Sequence, residues 1–186
     1  MKHYARRLPH WDVVGQPLFV TFRLHGSLPA GRVFAPSTIK TGEAFVVMDR
    51  MLDNAMAGPR HLSNPVIAAL VAGALGDGEK QFDRYQLHSY VVMPNHVHLL
   101  VTPKVPATKW LGPLKGFTAH EANVLLGLTG KPFWQNESYD HLVRFPDEFS
   151  RIRRYIENNP VKAGLVADPG DFEWSSAGAC LKQAAG

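Results

Sequence analysis

Two histidines, His96 and His98, stand one residue apart in a run from Tyr90 to Val101 that is otherwise almost entirely apolar. The β-branched and aliphatic residues around them favour a strand. Because successive side chains of a strand point to opposite faces, the two imidazoles share one face, about 7 Å apart along the chain. Burial of polar rings without partners costs free energy. The pair therefore predicts half of a metal site rather than two structural histidines, since imidazole is a common metal ligand.

The elements that position this pair follow from the apolar patterns of the first half of the chain. We predict a strand over 17–24, a loop over 26–36, a helix over 38–56, and a helix over 65–75 that ends at Gly76. Strands over 82–92 and 95–102 then form a hairpin, because Met93-Pro94-Asn95 supplies the residues of a tight turn. The histidines therefore stand at the start of the returning strand.

The second half of the chain alternates helices with short extended segments. We predict a helix over 110–126, strand-like segments over 133–135 and 139–144, and a helix over 147–158 that ends before Pro160. The tail after 164 is loop-like, with 172–176 packing back. This order of elements predicts an α+β fold with a mainly antiparallel sheet and helices packed on it.

The last predicted helix carries a second group of chemical side chains. Phe149, Ile152 and Ile156 have the spacing of a buried helical stripe. Tyr155 and Asn159 are four residues apart, so they lie one turn from each other on the flank of that stripe. A phenol and an amide at this place could project towards the histidines, although periodicity does not choose the face of the sheet.

Length and composition set limits on the class of protein. At 186 residues, with 45% hydrophobic and 19% charged residues, the chain is globular, and we expect one domain over 1–186 with a basic N-terminal segment 1–16 and a tail 167–186. The net charge of +4 is a modest basic bias, compatible with a phosphate-rich partner. The single Cys180 excludes an intramolecular disulfide. No apolar run has the length of a membrane helix and no signal peptide is visible, so we expect the cytoplasm.

Two motifs together resemble a known family. The segment from Met93 to Leu100 is similar to the histidine–hydrophobic–histidine (HUH) motif of single-tyrosine transposases. The segment from Tyr155 to Val166 is similar to the tyrosine-bearing helix of the REP-associated tyrosine transposases. Segments 133–135, 141–144 and 174–176 also fall where that family carries similar residues, so the resemblance spans roughly 18–176.

The resemblance implies a fold, an activity and a set of site residues. The fold is the HUH, ferredoxin-like α/β sandwich, and the activity is cutting and rejoining of single-stranded DNA beside short hairpins, as in DNA transposition and recombination. By this analogy Tyr155 attacks phosphorus, giving a 5′-phosphotyrosine and a free 3′-hydroxyl, which makes the reaction strand transfer rather than hydrolysis. His96, His98 and Asn159 would bind Mg²⁺ or Mn²⁺, and their mixed nitrogen and oxygen donors suit Mn²⁺ somewhat better.

Other residues of the right types are alternatives. Asn159 could instead cap the helix before Pro160, with Asn158 as the metal ligand. We expect two further histidines, His88 and His141, to be structural or DNA-facing rather than metal ligands. The tyrosines that compete with Tyr155 are Tyr85, Tyr90 and Tyr139.

The expected partner is single-stranded or hairpin DNA of the bacterial nucleoid, bound by a protein that we expect to be a monomer, with a dimer as the alternative. Phosphate contacts would make binding depend on salt, and the candidate residues are Arg6, Arg7, Arg23, Lys104, Lys109, Lys115, Arg144, Arg151 and Lys162. Exposed aromatic side chains would stack on bases, with Trp11, Phe22 and Trp110 as candidates, although we favour core packing for Phe22. Two other functions remain open: an inactive hairpin-DNA-binding protein, and a metal-dependent phosphodiesterase that uses water, for which Tyr155 would be dispensable.

Overall fold

The computed structural model describes residues 2–5, 9–28, 52 and 58–178, of which 2–5 and 9–12 are described by their backbone. Within these ranges, no helix is both long and apolar enough to span a bilayer. Short 3₁₀ turns lie at His61–Ser63 and Pro169–Asp171. The strands are β1 (Lys2–Ala5), β2 (Pro9–Asp12), β3 (Leu18–Arg23), β4 (Tyr85–Val92), β5 (His96–Pro103) and β6 (Tyr139–Leu142), and the helices are α1 (Pro65–Lys80), α2 (Ala107–Leu126) and α3 (Pro146–Lys162).

Four of the described strands form one antiparallel sheet in the order β4-β5-β3-β6, and β1 pairs with β2 in a separate hairpin that the sequence patterns did not predict. The predicted hairpin of the histidine strand is confirmed: β4 and β5 pair up to Val92 opposite Val97, and the N–H of Met93 donates to His96 O at 2.9 Å. The predicted fold class, α+β with helices packed on a mainly antiparallel sheet, is also confirmed.

The sheet is covered on both faces, by different helices. Val97, Leu99 and Val101 of β5 pack into a core with residues of α1 and α2. The alternate residue Leu100 packs into a second core with Phe19 and with Ile156, Ile152 and Phe149 of α3. His98 and His96 lie two and four residues before Leu100 on the same strand, so their side chains share its face. The histidines therefore point to the face that α3 covers.

The predicted end of α1 at Gly76 is wrong, because the helix continues to Lys80. Gly76 has open space around it and stays helical, while Gly78 is needed for a close approach: a Cβ there would lie 2.0 Å from Tyr85 Oη. That hydroxyl donates to Leu75 O at 2.8 Å, which anchors β4 against the helix. The longer helix also shortens the next strand, which begins at Tyr85 rather than at 82.

The predicted end of α3 before Pro160 is wrong in the same sense. Pro160 lies inside the helix, which continues to Lys162. Proline removes one backbone N–H donor, but the last turn is held by bonds from Ala163 N to Asn159 O at 3.0 Å and from Leu165 N to Pro160 O at 2.9 Å. Asn159 is therefore interior to the helix, and the alternative that it is a C-cap is excluded because the cap is Ala163.

The remaining elements agree with the predicted order, with shifted ends. Helix α2 begins at Ala107 rather than at 110, and Trp134 of the segment 133–135 forms an isolated bridge with Leu24. The tail packs back as predicted, with the N–H of Val92 donating to Trp174 O at 2.8 Å. The predicted helix over 38–56 and much of the loop over 26–36 lie outside the described residues, apart from Leu52, which is helical.

Candidate active site

The two histidines of β5 meet through their outer ring nitrogens. His96 Nε2 and His98 Nε2 are 3.0 Å apart, and the ring centroids are 4.5 Å apart. Both side chains are completely buried, at 0% exposure. Two ring nitrogens that point to the same buried place could bind one metal ion together.

Each histidine is oriented through its other nitrogen by a neighbouring polar side chain. His96 Nδ1 lies 2.7 Å from Asn95 Oδ1, and His98 Nδ1 lies 2.7 Å from Thr21 Oγ1. The Asn95 amide is itself fixed, because its Nδ2 donates to Leu52 O at 2.9 Å. Asn95 Oδ1 can only accept, so His96 Nδ1 carries the proton and His96 Nε2 offers its lone pair towards His98.

This arrangement fits a metal ion. For metal–nitrogen bonds of the length seen in zinc sites, about 2.1 Å, two ligand nitrogens at a right angle lie about 3 Å apart. Ligating histidines also characteristically donate their second ring N–H to a nearby acceptor, as His96 does to Asn95. Among the described residues, no group of three or more His, Cys, Asp or Glu side chains could hold a metal, so a third ligand from these residues would be of another type.

Tyr155 lies against the histidine pair. Its ring centroid is 5.7 Å from that of His98 and 6.3 Å from that of Phe19, with the Phe19 and Tyr155 rings perpendicular. Helix α3 thus covers the face of the sheet that carries both histidines, which is the face that the analogy with the transposases requires. Phe19 and Ile156 pack in one apolar cluster beneath the tyrosine, which fixes the position of the helix on the sheet.

The structure distinguishes between the two asparagines at the end of this helix. Asn159 is completely buried, one turn from Tyr155 and three residues from the buried Ile156. Asn158 is exposed, and its Nδ2 donates to Arg154 O at 2.9 Å. Asn159 is therefore the better candidate for the third ligand, and its amide oxygen has the donor type that Mg²⁺ and Mn²⁺ accept.

Two of the predicted cations lie at the site itself. Lys162 Nζ lies over the Tyr155 ring, 4.4 Å from its centroid, because the helix continues past Pro160. Arg23 is paired directly with His96 across β3 and β5, and burial lowers the pKa of its guanidinium. Two positively charged side chains therefore lie beside the cluster, one over the Tyr155 ring and one on the strand opposite His96.

The other predicted DNA-binding residues are spread more widely. Arg6 and Arg7 lie outside the described residues. Arg144 and Arg151 are exposed at and near the start of α3, on the side of the site. Three lysines are not brought to the histidine face: Lys104 pairs with Asp83, and Lys109 and Lys115 lie on α2, which packs on the opposite face. Lys115 donates to Gln135 O at 2.8 Å.

Two of the competing tyrosines belong to the opposite face. Tyr85 and Tyr90 pack in the core beneath α1 and α2, away from the histidines. Tyr139 is different, since it pairs with Thr21 on the histidine face and its ring lies 6.3 Å from Phe19. Burial raises the pKa of Tyr139 to about 12. Tyr139 is therefore harder to deprotonate to the nucleophilic phenolate than an ordinary tyrosine, whose pKa is about 10.

The two remaining histidines on this face have other partners. His88 Nε2 lies 2.7 Å from Thr102 Oγ1, and burial lowers the pKa of this histidine. His141 Nε2 lies 2.8 Å from Glu148 Oε1. Both have the structural roles that were expected. Of the candidates for base stacking, Trp110 is wrong because it is buried in the core, while the core packing favoured for Phe22 is confirmed.

Sequence reasoning missed the two side chains that orient the histidines. Sequence reasoning places Asn95 in the tight turn and at the start of the histidine strand but gives it no role at the site, although its position just before His96 is a usable signal. Thr21 was a polar residue inside an apolar strand and was assigned no role, since its proximity to His98 depends on the register of β3 with β5.

The fold and the site together define a class of α+β domain in which a tyrosine-bearing helix lies over a paired-histidine strand. Residues 78–159 match the family model described as "Transposase IS200 like", and this segment includes the histidines, Tyr155 and Asn159. The REP-associated tyrosine transposase of Escherichia coli (strain K12) is 28% identical over 96 residues. That similarity covers 50% of this chain and 54% of the relative, so the chain spans about half the length of the curated relative.

A solved structure has a similar fold. It is a REP-associated tyrosine transposase bound to a REP hairpin, with a TM-score of 0.60 and 18% sequence identity. The likeness covers 99% of this chain and 87% of that one. The predicted resemblance to the REP-associated tyrosine transposases is therefore confirmed.

Proposed function

We propose that this protein is a metal-dependent endonuclease and strand transferase that acts on single-stranded DNA at hairpins, with Tyr155 as the nucleophile. The observation that carries the proposal is the position of the Tyr155 ring, 5.7 Å from His98, on the face where the two histidine Nε2 atoms converge. The match of residues 78–159 to the family model of IS200-like transposases supports it.

The reaction transfers a phosphodiester bond to the enzyme. Tyr155 Oη loses its proton and attacks phosphorus, so that an O–P bond forms while the bond from phosphorus to the 3′ oxygen breaks. The departing 3′ oxygen takes up a proton, and the DNA strand stays attached as a 5′-phosphotyrosine. Attack by a 3′-hydroxyl on the phosphotyrosine reverses these steps and joins two strands. The covalent intermediate therefore conserves the free energy of the phosphodiester bond for rejoining. Lys162, 4.4 Å from the ring centroid, stabilises the negative charge that the phenol gains.

The metal would be held by His96, His98 and Asn159, with Mg²⁺ or Mn²⁺ as the candidates. When bound, it supplies polarisation of a phosphate oxygen and orientation of the phosphate. The donor set suits this role because two imidazole nitrogens lie 3.0 Å apart and a buried amide lies on the adjoining helix. Asn95 and Thr21 hold the imidazoles so that both outer nitrogens point to the same place.

The DNA partner is proposed from charge and from the relatives. Arg151 and Lys162 lie on the tyrosine helix, Arg144 lies just before it, and Arg23 lies opposite His96. These four cations would contact phosphates, giving a salt-dependent affinity. The solved structure with a similar fold contains a REP hairpin, so a folded hairpin is the proposed form of the substrate. We propose that the protein acts as a monomer in the bacterial cytoplasm, at the nucleoid.

The decisive experiment detects the covalent intermediate. The full chain is incubated with Mn²⁺ and labelled single-stranded DNA that carries a hairpin with randomised flanks, and a denaturing protein gel is then run. We expect a labelled protein band that is absent in Tyr155→Phe and retained in Tyr139→Phe. Cleavage without a band would replace the proposal with a water-using phosphodiesterase, and binding without cleavage would replace it with an inactive hairpin-binding protein.

A further inference from the structure

Arg23 lies on β3, the strand next to the histidine pair. It is the residue directly opposite His96 in the pairing of β3 with β5. Thr21, two residues earlier on the same strand, bonds to His98, so Arg23 points to the same face by the alternation of the strand. Directly opposed residues have Cβ atoms about 5 Å apart. Arg23 therefore lies on the strand next to His96, on the face of the sheet that carries both histidines.

The bonds that Arg23 makes leave its charge available. Its Nη1 donates to Ser27 Oγ at 3.2 Å, and Ser27 is neutral. The ion pairs formed by the described residues involve other cations, namely Lys104, Arg153 and two histidines. A half-buried guanidinium is costly to keep without a compensating anion. Because Arg23 lies beside the proposed phosphate-binding centre, the phosphate of the bound substrate would be its compensating anion.

We infer that Arg23 is a catalytic residue that contacts a non-bridging oxygen of the scissile phosphate. This inference rests on the proposed function and assigns Arg23 a part in the chemical step rather than general DNA affinity. A guanidinium keeps its charge at any working pH and can hold two oxygens at once through its fixed fork. Charge develops on those oxygens during the transfer, so a preorganised cation stabilises the transition state more than the bound substrate.

The test separates rate from binding. Arg23→Met and Arg23→Lys are compared with wild type for the single-turnover rate of the covalent band, for the Kd of the hairpin DNA and for the Kd of Mn²⁺. We expect Arg23→Met to lower the rate by about 100-fold, with Arg23→Lys in between and with both dissociation constants nearly unchanged. Arg84→Met is the matched control, because Arg84 lies over the Phe82 ring, away from the histidine face, and its loss removes the same charge.

A second substrate probes the charge on the phosphate itself. Once the wild-type cleavage position has been sequenced, that phosphate is replaced by a neutral methylphosphonate. The difference in the single-turnover rate between wild type and Arg23→Met should then become smaller, because the negative charge that Arg23 stabilises has been removed from the phosphate. An unchanged gap would overturn the inference, as would a loss in Ser27→Ala equal to that in Arg23→Met, since Ser27→Ala removes the structural contact alone.

The two proposals fail in different ways. No covalent band in wild type would overturn the proposed function and this inference together. A wild-type band with equal rates in Arg23→Met would leave the proposed function intact and overturn the role of Arg23. A rate loss that is fully explained by weaker DNA binding would assign Arg23 to affinity rather than to the chemical step.

Discussion

Thr21 Oγ1 lies 2.7 Å from His98 Nδ1, on a strand that the sequence separates from the histidine by 77 residues. A hydroxyl can donate or accept, unlike the amide oxygen that holds His96. Without an ion, His98 Nε2 must donate to His96 Nε2, and its Nδ1 then accepts from Thr21. If an ion were bound by both Nε2 atoms, His98 would carry its proton on Nδ1 and would donate it to Thr21 Oγ1 in a hydrogen bond. Thr21 is therefore suited to both states of the site.

The first prediction concerns this hydroxyl. Thr21→Val keeps the shape of the side chain and removes the hydrogen bond, so we expect Mn²⁺ affinity to fall by about tenfold or more. Thr21→Ser keeps the hydroxyl and should bind Mn²⁺ nearly as wild type does. Electron paramagnetic resonance of free Mn²⁺ during a titration measures both. Equal affinities for the valine and serine variants would show that the hydroxyl has no part in orienting His98.

The second prediction distinguishes the neighbouring asparagines of α3. Asn159→Ala removes the proposed third ligand and should weaken Mn²⁺ binding by more than the roughly tenfold loss expected for Thr21→Val. Asn158→Ala removes an exposed side chain that bonds within its own helix, and should leave the affinity unchanged. The same titration serves for both variants. If Asn158→Ala gave the larger loss, the ligand assignment would have to move by one residue.

The third prediction concerns the two glycines of α1. Gly78→Ala would place a Cβ 2.0 Å from Tyr85 Oη, so we expect the free energy of unfolding to fall by about 1–3 kcal/mol. Gly76→Ala has nothing within 4 Å and should raise the stability by up to about 1 kcal/mol, because alanine favours the helix. Urea unfolding followed by circular dichroism gives both values. Equal effects would contradict the close approach of Tyr85 to the helix.

The fourth prediction concerns pH. Burial alone would raise the pKa of the Glu148 carboxyl, but its hydrogen bonds from Arg144 N and His141 outweigh burial and lower it. A carboxyl whose pKa is lower in the folded state stabilises the fold at neutral pH, and this stability is lost as the pH falls through the folded pKa. We expect Glu148→Gln to cost about 1 kcal/mol at pH 7.

That cost should shrink as the pH falls below the ordinary pKa of a Glu carboxyl, about 4.3, and on through the lower pKa of folded Glu148, where the wild-type carboxyl takes up its proton. Urea unfolding at several pH values measures the gap between wild type and variant. Asp147→Asn is the control, because it removes an exposed carboxylate from the same first turn of α3. A gap for Glu148→Gln that stayed constant with pH would contradict the lowered pKa.

The sequence predicted the four strands of the main sheet and the histidine hairpin well, because alternating apolar residues and the Met93-Pro94-Asn95 turn are local signals, but it missed the hairpin of β1 and β2. It misplaced the ends of two helices for one physical reason. Gly76 and Pro160 weaken a helix locally, yet both lie in helices whose buried faces favour continuation. Packing against the sheet therefore outweighed the local preference.

Other features of the site were beyond the reach of local patterns. Periodicity placed Tyr155 on the flank of a helix, but the face of the sheet that this helix covers depends on the tertiary fold. The contact of Thr21 with His98 requires the register of β3 with β5, and the position of Lys162 over Tyr155 requires a helix that passes Pro160. These contacts supply the electrostatics of the proposed chemistry.

The return of the tail to β4 has a consequence for self-association. Strand β4 is one edge of the sheet, and its outward backbone groups bond to the tail: Val92 N donates to Trp174 O, and Tyr90 N donates to Ser176 Oγ. An uncovered edge strand is a template for strands of other molecules. A chain shortened before Phe172 would present that template and tend to aggregate through it. Residues 174–176 of the tail thus cover the Tyr90–Val92 part of this edge, where a strand of a second molecule would otherwise pair.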